Sequence, residues 1–176
     1  MRLFIAIDLP QEVKDYLFNV QKEFKQAKVA WVSKKNLHIT LKFLGDVEED
    51  KVEQVREAIN VSSKKITVSL GNLGFFPSES TPQVIRVSVE PEDGIVQLQQ
   101  KIDGELLSLF PSEQKFRSHI TIGRIKSLRR SKEFFESVKK IKIEKIEFTI
   151  DSFKLVKSEL TKKGSMYEVL ENVKLS

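Results

Sequence analysis

"NLHITLKFLG", residues 36–45, and "RSHITIGRIK", residues 117–126, share the tripeptide His-Ile-Thr. It falls at His38–Thr40 and His119–Thr121, and these are the only 2 histidines of the chain. Each stretch alternates as a β-strand does, and on a strand residues i and i+2 share a face. His38 therefore projects with Thr40, and His119 with Thr121. Leu37, Ile39 and Leu41 turn the other way, into a core, as do Ile120 and Ile122. In ordinary composition a given histidine precedes Ile-Thr on the order of once in a few hundred cases. Two such histidines, at matching points of one chain, call for a chemical reason.

The surroundings of the two stretches also match. "RLFIAID" at 2–8 is an almost unbroken apolar run and reads as a central strand. Asp8 with Gln11 resembles a capping box, and Pro10 suits a first helical turn. Val13, Leu17, Val20 and Phe24 keep helical spacing to about Lys25. "VAWV" is a short extended piece before the first motif strand, Leu37 to Leu44. Asp46 and Glu49 form a second box-like start, and Val52, Val55 and Ile59 give that helix its apolar stripe. "KITVSLGNLGFF" and "QVIRVSVE" read as strands around the turn-rich "FFPSESTP". From Asp93, residues Ile95, Leu98, Ile102, Leu106 and Leu109 mark a third helix. The second motif strand runs from about Phe116 to Ile125, and a short helix from Ser131 to Lys139. Three closing strands follow, the last two joined by a turn at Gly164.

Strand, helix, motif strand, helix, strand thus occurs from Arg2 to Leu70 and again from Val84 to about Ile150. The expectation is one domain over 1–176, built as a diverged internal duplication. Its pseudo-repeat lobes are approximately 2–70 and 84–150, with strands from 151–176 completing the sheets. No Pro/Gly/Ser linker parts the halves, so they share one body.

With 40% apolar and 31% charged residues, the 176-residue chain reads as globular. The absence of cysteine excludes disulfides, thiolate zinc sites and thiol nucleophiles, and fits a reducing, cytoplasmic setting. The apolar start "MRLFIAIDLP" is too short for a signal peptide or a span, so no membrane partner is expected. A net charge of +5 permits a polyanionic partner without demanding one.

Two imidazoles and two hydroxyls meeting on one cleft suit phosphoester chemistry. Displacement at phosphorus needs one group to take a proton from the nucleophile and another to protonate the leaving oxygen. Imidazole titrates near neutrality, so one histidine can be neutral while the other is protonated. Threonine hydroxyls can hold the non-bridging oxygens. No metal or cofactor is called for: a metal would need carboxylates, and Asp46 lies eight residues beyond His38 across a Gly turn. Strict alternation puts Arg124 on the face opposite the cleft, yet Gly123 before it is a common bulge signal that would re-aim it; the two readings are a phosphate-contacting arginine and a solvent-facing one. Lys42 keeps the alternation of His38, at the cleft edge or in solvent. Lys115, Arg117, Arg124, Lys126, Arg129 and Arg130 form a basic stretch without an acid, suited to an RNA backbone or to plain solvation. Trp31, Phe75 and Phe76 are candidates to stack a base, with core the stronger reading for Trp31.

The tetrapeptides "HITL" at 38–41 and "HITI" at 119–122 resemble the paired motifs of the 2H phosphoesterase superfamily. "RLFIAIDLP", "WVSKKNLHITLKFLGDV", "LGFFPS" and the closing "DSFKLVKSEL…YEVL" are similar to its RNA 2′,3′-cyclic phosphodiesterase branch, historically called 2′-5′ RNA ligase. The resemblance covers nearly the whole chain. It implies an α+β, bilobal fold, two antiparallel-rich sheets flanking a central cleft with helices outside. It implies hydrolysis of RNA 2′,3′-cyclic phosphate ends, tRNA fragments among them, to 2′-phosphomonoesters. It makes His38 the proton donor to the leaving 3′-oxygen and His119 the proton acceptor from water. Thr40 and Thr121, with an arginine near position 124, become phosphate-binding residues. The chain is expected to act as a monomer. Two other readings stand beside this one: RNA ligation by the reverse reaction, and a nucleotide- or RNA-binding module with a silent site.

Overall fold

A computed structural model describes residues 1–25, 27–113, 115–128 and 130–176. The elements run β1 (Arg2–Asp8), α1 (Gln11–Gln21), β2 (Ala27–Trp31), β3 (His38–Asp46), α2 (Glu49–Ala58), β4 (Ile66–Phe76) and β5 (Val84–Glu90). They continue α3 (Asp93–Glu105), β6 (His119–Leu128), α4 (Ser131–Val138), β7 (Glu147–Ile150), β8 (Ser152–Thr161) and β9 (Gly164–Lys174). A 3-10 turn, Lys34–Asn36, leads into β3. The α+β class is as expected.

Helical spacing builds the core. Val13, Leu17 and Val20 of α1, Val52 and Val55 of α2, Ile95, Leu98 and Ile102 of α3 and Phe134 of α4 bury into one cluster. The alternate residues of the strands meet them there, among them Ile5, Ile7, Ile39, Ile85, Val87, Ile120 and Phe153. The helices therefore cover one face of the sheet. The opposite face carries its own small cluster of Phe4, Ala6 and Val156, with Tyr167 against it.

The helix starts differ from expectation. α1 begins after Pro10 and α2 after Glu48, and neither has a side-chain cap. Asp8 instead accepts from its neighbour Leu9 N and pairs with Lys14 and Lys154. A close ammonium outcompetes a backbone amide for the carboxylate. α1 also stops at Gln21, so Phe24 lies beyond the helix and packs on Trp31, ring centroids 5.3 Å apart.

The strands lie in the order β7-β4-β5-β6-β3-β1-β8-β9, with β2 beside β6. The two sheets expected from sequence are halves of this one, joined by a single residue pair, Ile39 with Ile120. β1 flanks β3 as β5 flanks β6. The outer strands cross over: β4, early in the chain, pairs with β5 and β7, while β8 and β9 complete the half that holds β1. Gly164 adopts φ +110° in the last hairpin, a conformation open to glycine alone at little cost.

Candidate active site

Both His-Ile-Thr runs sit in the two central strands. Antiparallel pairing of Ile39 with Ile120 fixes their relation. Carried one residue each way, that register sets His38 beside Thr121 and Thr40 beside His119, on the face away from the helices. The pairing stops there, so β3 and β6 diverge and open a cleft at the four side chains.

Each motif then breaks its own alternation at the same point. Ala6 pairs with Thr40 and Ile5 with Lys42, so Leu41 is an extra residue in β3. Arg86 pairs with Thr121 and Ile85 with Gly123, so Ile122 is the extra residue in β6. A bulge shifts every later side chain to the opposite face. After it, Lys42 and Gly123 fall on the core side, and Phe43 and Arg124 emerge on the cleft side. The β6 bulge is tied down: the Ile122 carbonyl accepts from Val32 N at 3.1 Å and from Gln21 Nε2 at 2.9 Å.

The placement of Lys42 is a correction. It neither edges the cleft nor meets solvent; it is buried and donates to Asp103 of α3 at 2.5 Å and to the Pro111 carbonyl at 2.7 Å. Arg124 is exposed, opposite Val84 of β5. Gly123 serves the other face: a Cβ there would come within 2.7 Å of both Trp31 and Val29. Trp31 therefore lies on the helix side of the sheet and not in the cleft, against Phe24 but exposed and outside the core. Phe75 is core, whereas Phe76 meets the His119 ring edge-on at 4.9 Å. Of the basic stretch, Arg117 pairs with Glu92 and Arg130 with Glu133, while Lys115 and Lys126 are exposed. Arg129 lies outside the described residues.

Both imidazoles are held the same way. His38 Nδ1 lies 2.6 Å from the Asn36 carbonyl and His119 Nδ1 lies 2.8 Å from the Arg117 carbonyl, each two residues back. A carbonyl only accepts, so Nδ1 carries the proton in both rings and Nε2 holds the lone pair of the neutral form. His38 Nε2 sits 2.8 Å from Thr40 Oγ1. The Asn36 side chain donates to the Ser165 carbonyl, and Lys14 donates to the Lys35 carbonyl. The turn that orients His38 is thus fastened to both β9 and α1.

Burial lowers the pKa of both histidines, since a desolvated imidazolium is disfavoured. Their other neighbours differ. After burial and the Asn36 hydrogen bond, the Asp8 carboxylate favours the His38 cation, with Lys14 and His119 opposing it. For His119 the charge of Arg86 adds to burial, against the pull of its Arg117 hydrogen bond. For the Asp8 carboxyl, burial pushes the pKa up, but Lys14, the Leu9 amide and Lys154 outweigh it and hold it low. Phe4 and Tyr167 flank the His38 ring at 5.1 and 5.7 Å. A cavity of about 220 Å³ opens beside it, lined by Phe4, Asn36, Lys154, Val156, Met166 and Tyr167. Neither that cavity nor Arg86 was visible in the local sequence, because both are assembled from strands distant along the chain.

The chain is similar to known proteins over nearly its whole length. The LigT like Phosphoesterase family model matches the chain twice, at residues 7–86 and 85–167. A Methanocaldococcus jannaschii protein named RNA 2′,3′-cyclic phosphodiesterase is 36% identical over 173 residues, 97% of this chain and 99% of that one. One of the same name from Thermotoga maritima is 36% identical over 178 residues, covering 97% and 93%. A crystal structure from Thermus thermophilus superposes with a TM-score of 0.81 at 27% identity, over 99% of this chain and 97% of that one. Apo LigT of E. coli has the same fold at a TM-score of 0.79. With its paired His-Ile-Thr strands and these full-length relatives, the chain belongs to the LigT-like branch of the 2H phosphoesterases.

Proposed function

We propose that the protein hydrolyses 2′,3′-cyclic phosphate ends of RNA to 2′-phosphomonoesters, with two histidines as its proton carriers. The observation that carries this reading is the matched anchoring of both imidazoles through Nδ1, which turns both Nε2 atoms toward one face, that of His38 against the Thr40 hydroxyl. A binding module needs no such pair. The names of the relatives agree with the activity.

His119, neutral, accepts a proton from water at Nε2, and the hydroxide oxygen attacks phosphorus. The bond from phosphorus to the 3′-oxygen breaks, and His38, protonated, delivers its Nε2 proton to that oxygen. Asp8 favours the charged form of the donor and Arg86 the neutral form of the acceptor, which matches this division of roles. Thr40 and Thr121 donate to the non-bridging oxygens, and Arg124 adds positive charge beside them. The apolar cavity next to His38 is suited to the terminal nucleoside, with Tyr167 and Phe4 as its aromatic walls. Incubation with an RNA oligomer ending in a 2′,3′-cyclic phosphate, followed by phosphorus NMR, should show a 2′-monoester. A 3′-monoester would overturn the assignment of the leaving oxygen.

The rate is expected to be bell-shaped in pH and unaffected by EDTA, since the protein side chains supply both proton transfers. Below the acid limb His119 is protonated and cannot accept. Its lowered pKa places that limb under the ordinary imidazole value of about 6.5. Above the alkaline limb His38 has lost the proton it must donate. Its pKa is also lowered in the free protein, so the kcat/KM bell is acid-shifted. A bound phosphate anion favours the His38 cation, so the alkaline limb of kcat lies higher than that of kcat/KM. The limbs belong to the coupled pair, not to single residues. A kcat that climbs steadily with pH, or a rate lost to EDTA and restored by a divalent metal, would contradict the mechanism.

A further inference from the structure

Arg86 has no role in the scheme above beyond its charge, yet its setting is constructed. It lies on the cleft face of β5, directly across from Thr121, with Ser88 across from His119. Directly opposed residues of an antiparallel pair have Cβ atoms about 4.5–5.5 Å apart. The Arg86 side chain therefore starts beside the hydroxyl and the imidazole of the second motif.

Two contacts hold the guanidinium. Its Cζ lies 4.8 Å from the centre of the Phe76 ring, the same ring that touches His119 edge-on. Gly74 of β4 pairs with Arg86 and forms the floor beneath it. A Cβ at Gly74 would stand 3.1 Å from Cζ and from one terminal nitrogen, so any larger residue crowds the group. The aromatic face and the bare glycine backbone hold the guanidinium without using its hydrogen-bond donors.

Among the described residues, no hydrogen bond or ion pair engages those donors, and Nε is buried without a partner. The carboxylates close by are already occupied. Glu90 accepts from Ser88 Oγ, and Glu92 accepts from the Ser118 amide and pairs with Arg117. A desolvated donor without an acceptor is unfavourable, and one on a charged group more so. A cation kept in that condition beside a phosphate site is complementary to an anion that arrives with the substrate.

We propose that Arg86 is a ligand of the scissile phosphate, donating to its non-bridging oxygens from the His119 side of the cleft. The proposal rests on the cyclic-phosphate reading above and extends it to a residue outside both His-Ile-Thr motifs. Arg86, Thr121 and Arg124 then hold the phosphate from one half of the sheet, and Thr40 from the other. The same cation adds to the burial that favours the neutral, proton-accepting form of His119.

The test uses inorganic phosphate as an anion probe and a 2′,3′-cyclic mononucleotide as substrate, so that no upstream phosphate contributes. Arg86→Ala should weaken phosphate binding and lower kcat/KM for the mononucleotide, each by about 10–100-fold, the worth of a charge-assisted hydrogen bond. Arg86→Lys should recover part of both. Gly74→Ala leaves the arginine present but displaces it, and should produce a smaller loss in the same two measurements without a change in melting temperature. Phosphate affinity and mononucleotide turnover within twofold of wild type in Arg86→Ala would overturn the proposal. A loss seen only with RNA would overturn it too, by placing Arg86 on a distant part of the strand. If wild type binds phosphate through Arg86 yet hydrolyses no cyclic phosphate, the anion site stands and the proposed reaction falls.

Discussion

Alanine at His38 or at His119 is expected to abolish nearly all turnover while the fold survives. Each imidazole handles one proton transfer, and a positioned acid or base contributes typically about 10²–10⁴-fold. The two losses should not multiply, because a site lacking either proton carrier has already left the concerted path. Both rings lie on the cleft face: His119 is held by a backbone carbonyl and the Phe76 ring, His38 by a carbonyl, the Thr40 hydroxyl and the rings of Phe4 and Tyr167. The apolar cluster on the other face holds the elements together, so circular dichroism should match wild type. His119→Ala should also show less aromatic ordering at Phe76, which packs on that ring. Retention of more than about a tenth of the wild-type rate by either folded variant would end the two-histidine mechanism.

How much of this could be read from the chain depends on the range over which each feature is determined. His38, Thr40, His119 and Thr121 share a face by strand geometry alone, and the structure puts all four on the cleft side of adjacent strands. Gly123 betrayed the second bulge, and with it the turn of Arg124 toward the cleft. The first bulge, at Leu41, has no glycine to announce it, so simple alternation misplaces Lys42 and hides Phe43. What fixes the register there is the pairing with β1 and the pull of Asp103 from α3, 61 residues away. Arg86 was silent for the same reason. "QVIRV" resembles any strand until β4 brings Gly74 and Phe76 beside it. The crossing of β4 into the half that holds β5 was likewise illegible, because a repeated order of elements does not say which neighbours its outermost strands choose. Local periodicity carries the elements and their faces; pairing between distant strands decides where the faces meet.

Asp103→Ala is expected to be strongly destabilising, through the bulge that shapes the first motif. Lys42 and Asp103 have side chains only 4% and 9% exposed. The carboxylate also accepts from Ser112 Oγ at 2.8 Å and from the Glu113 amide at 3.0 Å, so it closes the segment after α3 as well. Removing it strands a buried ammonium, a loss of about 3–5 kcal/mol. For a domain of this size that is a fall in Tm of roughly 6–20 °C. Replacing both partners with apolar residues, Lys42→Met with Asp103→Leu, should recover most of it, because no charge is then left unpaired. The pH dependence has a definite sign. Burial raises the Asp103 carboxyl, but the hydrogen bonds from Lys42, Ser112 and Glu113 and the Lys42 charge outweigh it, so its folded pKa is depressed. The pair's contribution is therefore complete above the unfolded carboxyl value of about 3.9 and fades as pH falls through the depressed one. The stability gap between wild type and Asp103→Ala should be constant near neutrality and close in strong acid. Activity should fall along with stability in Asp103→Ala: without its anchor, Lys42 no longer holds β3 in the bulged register that presents Thr40. Thermal melts and turnover of the single and double variants check both parts. A single variant that melts with wild type, or a double variant no better than the single, would show that the pair does not set the strand.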